Sequence, residues 1–242
     1  MRVGLSQRLR IEWLELAANA SAAGKPKVEI IAELDAKLSK FLSKNSEAGK
    51  GNRAKTLSNI SVIWLESSPV RKDMLKDALN IYKSTSSKYH FPLHWAMTMA
   101  AYPFFSKVAR ATGALIKLQG EARYGQIERK LVEELGDRQT VTRSAQRIVR
   151  SMHDWGVLRD TKIRGAYKLK RGYPKACAPQ MQAFLVEALL HENPASSRNF
   201  NELVQDPALF PFQIDNNLSV VQRKNSRIIT TQQSLDEAMV GI

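Results

Sequence analysis

The stretch GQIERKLVEELG (125–136), then DRQ (137–139), TVTRSAQRIVRSMHDW (140–155) and GVLRDTKIRGAYKLK (156–170), decides how this chain is read. Ile127, Leu131, Val132 and Leu135 fall on one face of a helix, and Gly136 supplies the left-handed residue that helices favour at their C-terminal end. After a tight turn, Thr140 is expected to cap a second helix running to about Trp155. Val141, Ala145, Ile148, Val149, Met152 and Trp155 form its apolar stripe. The period then changes to two: VLRDT (157–161) and AYKLK (166–170) flank the basic turn KIRG (162–165) and read as a β-hairpin. Helix, tight turn, basic amphipathic helix and basic hairpin, in that order, predict a winged helix-turn-helix module. In such a module the second helix enters the major groove and the hairpin rests on backbone or minor groove.

The polar face of the second helix carries the functional reading. Thr142, Arg143, Gln146, Arg147 and Arg150 point away from the apolar stripe, and the three arginines at i, i+4 and i+7 make one basic ridge. Like charges at this spacing cost a few tenths of a kcal/mol each in an isolated helix, so a compensating anion is expected, and phosphate fits. Arginine also pairs bidentately with guanine and glutamine with adenine, the chemistry of a major-groove reader. The expected DNA contacts are Arg138, Thr140, Thr142, Arg143, Gln146, Arg147 and Arg150, with Lys162, Arg164 and Lys168 of the hairpin on phosphate. A second phosphate contact is expected at Lys50, Arg53 and Lys55, where the third helix of the chain begins.

Charge along the 242 residues agrees with this. The chain holds 37 Lys plus Arg against 23 Asp plus Glu, a formal charge of +14. Residues 138–171 alone hold ten bases against Asp154 and Asp160, a net of +8, whereas 172–242 is slightly acidic. Such an excess in a chain of ordinary hydrophobic content (43%) points to a polyanionic partner rather than to disorder. A single cysteine, Cys177, excludes an internal disulfide and fits a reducing cytoplasm. The longest apolar run, Leu93–Phe105, is too short to cross a bilayer, and Glu12 and Glu15 interrupt any signal-peptide core, so a soluble cytoplasmic protein is expected.

The fold class read from these patterns is mainly α, in three segments. Residues 1–118 form an N-terminal helical domain with helices over about 5–19, from near Pro26 through Leu42, from Arg53, over 70–83, over 92–102 up to Pro103, and over 104–118. Residues 119–172 form the winged helix-turn-helix. Residues 173–242 form a small α/β C-terminal extension, with helices near 178–191 and 200–205 and a hairpin from NLSVVQR (217–223) and SRIITT (226–231). This tail is a candidate for contact with a partner or a second copy of the chain, a homodimer.

Enzyme chemistry finds no support in the sequence. His90 and His94 are four apart but straddle Pro92 with no third ligand, so they read as core or capping groups and no metal is expected. Cys177 lacks a neighbouring base, the glycines at 49–51 and 120–125 are not closed by Gly-Lys-Ser/Thr, and no carboxylate cluster suggests a nuclease. His153 suits the C-terminal end of its helix, and Trp95, Tyr102, Phe104 and Phe105 read as core. No cofactor is expected.

The segments NRAKTLSNISVIWL (52–65), PLHWAMTMAAYPFFSKVA (92–109) and DRQTVTRSAQRIVRSMHDWGVL (137–158) resemble the BrxA family of BREX bacteriophage-defence systems. The resemblance covers residues 1–172, and the tail beyond about 190 goes past it. It implies a small non-enzymatic DNA-binding protein working beside methyltransferase and ATPase partners in antiviral defence. The reading is therefore a double-stranded DNA-binding protein, sequence-tolerant or weakly specific. The alternatives are a scaffold subunit whose winged helix docks on other defence-system proteins, a transcriptional regulator and, third, an RNA binder. The last ranks low because the module offers no aromatic sheet on which bases stack.

Overall fold

The computed structural model of the chain describes residues 4–42, 51–66, 68–232 and 238–242. The fold is mainly helical, with eleven α-helices and three small sheets among the described residues. Helices α1 (Ile11–Ala22), α2 (Lys27–Leu38), α3 (Asn52–Trp64) and α4 (Lys72–Ser84) pack around one another and onto α5 (Phe91–Ala101). The expected first helix loses its first turn and a half. Leu5 and Leu9 are fully buried, but in a non-helical segment, where the Leu9 N–H and C=O are taken by the side chains of Ser151 and Trp155. Pro26 sits just before α2 rather than inside its first turn, and α2 ends at Leu38. Pro103 both follows the apolar segment and opens the next helix, α6 (Pro103–Gln119), where a residue without an N–H costs nothing.

Two helices form the centre. Every residue of α5 from Leu93 to Ala100 is buried, as is every residue of α9 (Pro179–Leu190) from Met181 on, and the two helices lie against each other. A helix apolar on all sides is stable only when surrounded, so the tail supplies half of the core's axis. Trp95 meets Phe91, Phe105, Trp155, Phe210 and Phe212, with ring centroids 5.0–6.0 Å apart, and its indole N–H donates to the Ala208 carbonyl at 3.2 Å. Gly113 makes the seam between α6 and the turn Pro207–Leu209 possible: a Cβ there would stand 2.0 Å from the Pro207 carbonyl oxygen.

After α6 come β1 (Ala122–Arg123), α7 (Tyr124–Leu135), α8 (Gln139–Asp154), β2 (Leu158–Asp160) and β3 (Ala166–Leu169). The three strands form an antiparallel sheet in the order β1-β3-β2, pairing Ala122 with Tyr167 and Arg159 with Lys168. The hairpin lies where periodicity predicts it, but β1, in a stretch that reads as merely polar, adds a third strand at its open edge. Gly136 ends α7 with φ 84° and ψ 156°, which is not the left-handed helical region but is still a conformation that needs glycine.

Beyond the hairpin, β4 (Lys175–Ala176) pairs in parallel with β6 (Phe212–Gln213). β5 (Arg198–Asn199), β8 (Ala238–Gly241) and β7 (Ile229–Gln232) form an antiparallel sheet in the order β5-β8-β7, beside the short helix α10 (Phe200–Val204). The expected hairpin of 217–223 with 226–231 does not form. Residues Leu218–Lys224 are a helix, α11, whose start is capped by the Asn217 side chain accepting from the Val220 N–H at 3.1 Å, and β7 pairs with β8 instead. The adjacent valines suggest a strand, yet the cap and the burial of Val221 against α9 outweigh β-propensity. No helix among the described residues is long and apolar enough to cross a membrane.

Candidate nucleic-acid interface

Helix α8 has three faces with different fates. Val141, Ala145, Ile148, Val149 and Met152 are buried, and the helix packs on α6, α7 and β2. A second flank is clasped by the non-helical N-terminal segment. Arg147 donates to the Ser6 carbonyl, the Leu9 N–H donates to Ser151 Oγ at 2.8 Å, Trp155 Nε1 donates to the Leu9 carbonyl at 3.0 Å, and Arg8 pairs with Asp154. The third face presents Gln139, Arg143, Gln146 and Arg150, all exposed, at i, i+4, i+7 and i+11. The ridge expected from Arg143, Arg147 and Arg150 is thus split: Arg147 is half-buried and turned to the N-terminal segment, and Gln139 extends the open stripe in its place.

The start of α8 differs in detail from expectation. Arg138 occupies the capping position in extended conformation (φ −127°, ψ 127°), no side chain caps the helix, and Thr140 lies exposed inside its first turn. Arg138 donates to the Leu135 carbonyl at 3.2 Å. Thr142 is half-buried, and its carbonyl accepts from the Tyr124 hydroxyl at 2.7 Å, which ties the start of α7 to α8. Burial, with Glu128 nearby, pushes that phenol up to about 12, partly offset by the positive charge of Arg150.

The hairpin docks on the C-terminal end of α8. His153 Nε2 lies 3.1 Å from Asp160 Oδ2, and the His153 ring meets Tyr167 edge-on at 6.2 Å. Arg159 and Lys168 stand directly opposite each other on β2 and β3, an arrangement of like charges that destabilises a strand pair. Of the two, Lys168 alone forms an ion pair among the described residues, with Glu121 at 3.9 Å. Lys162, Ile163 and Arg164 are exposed at the tip, and Lys170 and Arg171 are exposed just after β3.

The use of arginine separates this surface from the rest of the molecule. Among the described residues, all ten arginines outside 138–171 engage a carboxylate, a backbone carbonyl or an aromatic ring. Of the seven inside it, only Arg138 and Arg147 do so. Arg143, Arg150, Arg159, Arg164 and Arg171 have no such partner among the described residues. An unpaired guanidinium on an exposed face holds its full charge and five donors ready for an anion.

The second expected phosphate site is differently placed. Lys50 lies outside the described residues. Arg53 Nε is 2.7 Å from Asp35 Oδ1 with its side chain only 11% exposed, so its charge is already matched. Lys55 is exposed and lines an open cavity of about 570 Å³ together with Ser6, Ser58, Asn59 and Tyr102.

The chain was compared with protein-family models, curated proteins and solved structures. It matches none of them.

A further cluster of titratable groups packs beside the core of the helical part. Glu15 accepts from the Tyr82 hydroxyl at 2.5 Å, with His90 Nδ1 at 3.3 Å and His94 Nε2 at 3.2 Å. His94 is wholly buried and neither of its nitrogens makes a well-aligned hydrogen bond. Burial lowers its pKa despite the nearby carboxylate. Burial would raise Glu15, but His94, Tyr82 and His90 outweigh it and hold the carboxyl at about 2. Burial pushes the Cys177 thiol up to about 12, far from a reactive thiolate. No three His, Cys, Asp or Glu side chains among the described residues are arranged to hold a metal ion.

Among the residues of the candidate surface, Gln139, Arg159, Lys170 and Arg171 escape a reading confined to the helix ridge and the hairpin turn. The signal for Gln139 is its spacing of four before Arg143. For the others it is membership of the +8 block.

Proposed function

We propose that this protein binds double-stranded DNA without catalysing a reaction on it. In this reading α6, β1, α7, α8, β2 and β3 act as a winged helix-turn-helix, with α8 in the major groove and the β2–β3 hairpin on the backbone or minor groove. The observation that carries it is the contrast in arginine use: five unpartnered arginines gather on α8, the hairpin and the residues just after it, and every described arginine outside 138–171 is engaged. The open stripe offers two arginines and two glutamines, Gln139 and Gln146, which suits strong phosphate binding with weak base preference. The resemblance of the 52–65, 92–109 and 137–158 segments to BrxA suggests the setting, a bacteriophage-defence locus. There, loss of plaque reduction in an Arg143→Ala, Arg150→Ala strain is the expected result.

A salt titration of duplex binding tests the proposal. If six to ten phosphates are neutralised, affinity falls roughly 10³- to 10⁵-fold between about 50 and 200 mM salt. Replacing Arg143 and Arg150 by Ala lowers affinity and flattens the salt slope by about one for each phosphate no longer neutralised. The same change at exposed Lys37 and Lys40 leaves both unaltered. Undetectable duplex binding at low salt overturns the proposal and favours docking on a protein partner.

A further inference from the structure

The tip of the β2–β3 hairpin carries an apolar side chain where a phosphate-binding loop has no use for one. Ile163 is 49% exposed and sits between the exposed Lys162 and Arg164. Of the other branched aliphatics of this region, Ile127, Val141, Ile148, Val149 and Val157 are buried and Val132, Leu135 and Leu169 are half-buried, so Ile163 is the most open of them. A lone exposed isoleucine is ordinary on a protein surface. The backbone of Ile163 is hydrogen-bonded within the turn. Its N–H donates to Thr161 Oγ1 at 3.1 Å, its carbonyl accepts from the Ala166 N–H at 3.1 Å, and the Thr161 hydroxyl lies 3.2 Å from the same carbonyl. The Thr161 N–H closes the turn onto the Ala166 carbonyl at 3.1 Å. Both backbone groups of Ile163 are thus occupied, and its β-branched side chain is stiff at χ1, so the tip offers a half-exposed apolar side chain flanked in sequence by two exposed cations.

That combination matches a specific task on duplex DNA. The minor groove is about 6 Å wide and bounded by two phosphate rows, a span that two flanking cations can bridge. Apolar residues at the tips of minor-groove binders enter between base steps, unstack them in part and bend the duplex. We infer that Ile163 is a wedge that enters the minor groove between Lys162 and Arg164 and bends the DNA that α8 holds. The inference rests on the DNA-binding reading of α8. It gives the protein a preference for duplexes carrying flexible pyrimidine–purine steps, at positions touched by no hydrogen-bonding side chain.

The test uses the full chain and an end-labelled duplex of about 30 base pairs, read by energy transfer between the ends, with a central TA step carrying 2-aminopurine. The wild-type protein shortens the end-to-end distance and raises 2-aminopurine fluorescence. Ile163→Ala loses both signals and binds roughly tenfold or more weakly, from the lost apolar burial, with the salt slope unchanged because every phosphate contact is kept. Ile163→Leu keeps the bend. If Ile163→Ala bends and binds like the wild type while Arg143→Ala weakens binding, the wedge is overturned and the DNA-binding reading stands. If the wild type itself binds no duplex, both fall.

Discussion

The C-terminal third and the α8–hairpin surface both depend on arginine, and they treat it in opposite ways. Arg227 reaches back from the segment after α11 to Glu187, which is buried on α9, and to Asp77 on α4. Arg110 and Arg198 converge on the nearly buried Asp206, and Arg110 also holds Glu192. Burial would raise the Glu187 and Asp206 carboxyls, but their arginine partners outweigh it and hold both below the usual range. On α8, the hairpin and the residues just after it, five arginines face solvent with no such partner among the described residues, and two cations even oppose each other across the strands. One surface is balanced within the fold and the other is left open. The amount of charge alone does not distinguish them; availability does.

The largest expected effect lies on the balanced side. Arg227→Ala leaves Glu187 buried with only Asn225 and His191 for company and should cost about 3–5 kcal/mol in urea unfolding. A loss of about 0.5 kcal/mol, typical of a free surface residue, would erase the distinction. Arg147→Ala comes next. As the one arginine of the α8 ridge turned inward, it should cost about 1.5–3 kcal/mol through its bond to the Ser6 carbonyl, the range for a charged hydrogen bond.

Acid separates the two regions in another way. Glu15, Glu187 and Asp206 have folded pKa values below their unfolded ones, so the unfolded chain binds more protons as pH falls. Their contribution to stability is full above about 4.5 and is lost as pH drops through the folded values, near 2 for Glu15. His94, also depressed, adds a loss that begins below about 6.5. A melting temperature that falls steadily from about pH 6.5 to 3 is expected, and a flat profile would contradict the account. Guanidinium groups keep their charge throughout this range, so the open arginines do not titrate within it.

The smallest effect has the opposite sign. Arg159→Thr removes a like charge opposite Lys168 and should stabilise the fold by a few tenths of a kcal/mol while weakening duplex binding. A stability loss in calorimetry would show that Arg159 has a structural partner after all.

Much of the fold around the candidate site is legible in local sequence. The stripes of α7 and α8, the alternation in AYKLK and the +8 block each lie within a few turns or one hairpin, and the corresponding elements form within a residue or two of expectation. The misread elements depend on distant partners or on an unnoticed cap. Leu5 and Leu9 carry helical spacing but lie in a non-helical segment, where Ser151 and Trp155 satisfy the Leu9 backbone. NLSVVQR carries strand-forming valines but contains the capping Asn217.

That a basic amphipathic helix precedes a basic hairpin is written in the chain itself, because periodicity, turns and net charge are properties of neighbouring residues. Which cations remain available is settled by packing. Arg147 meets a carbonyl 141 positions away and Arg53 meets Asp35, whereas Arg143 and Arg150, of the same type on the same or a similar helix, meet nothing within the described chain. A guanidinium's availability depends on what the fold brings within hydrogen-bond reach, and that distance is fixed only once remote segments have come together.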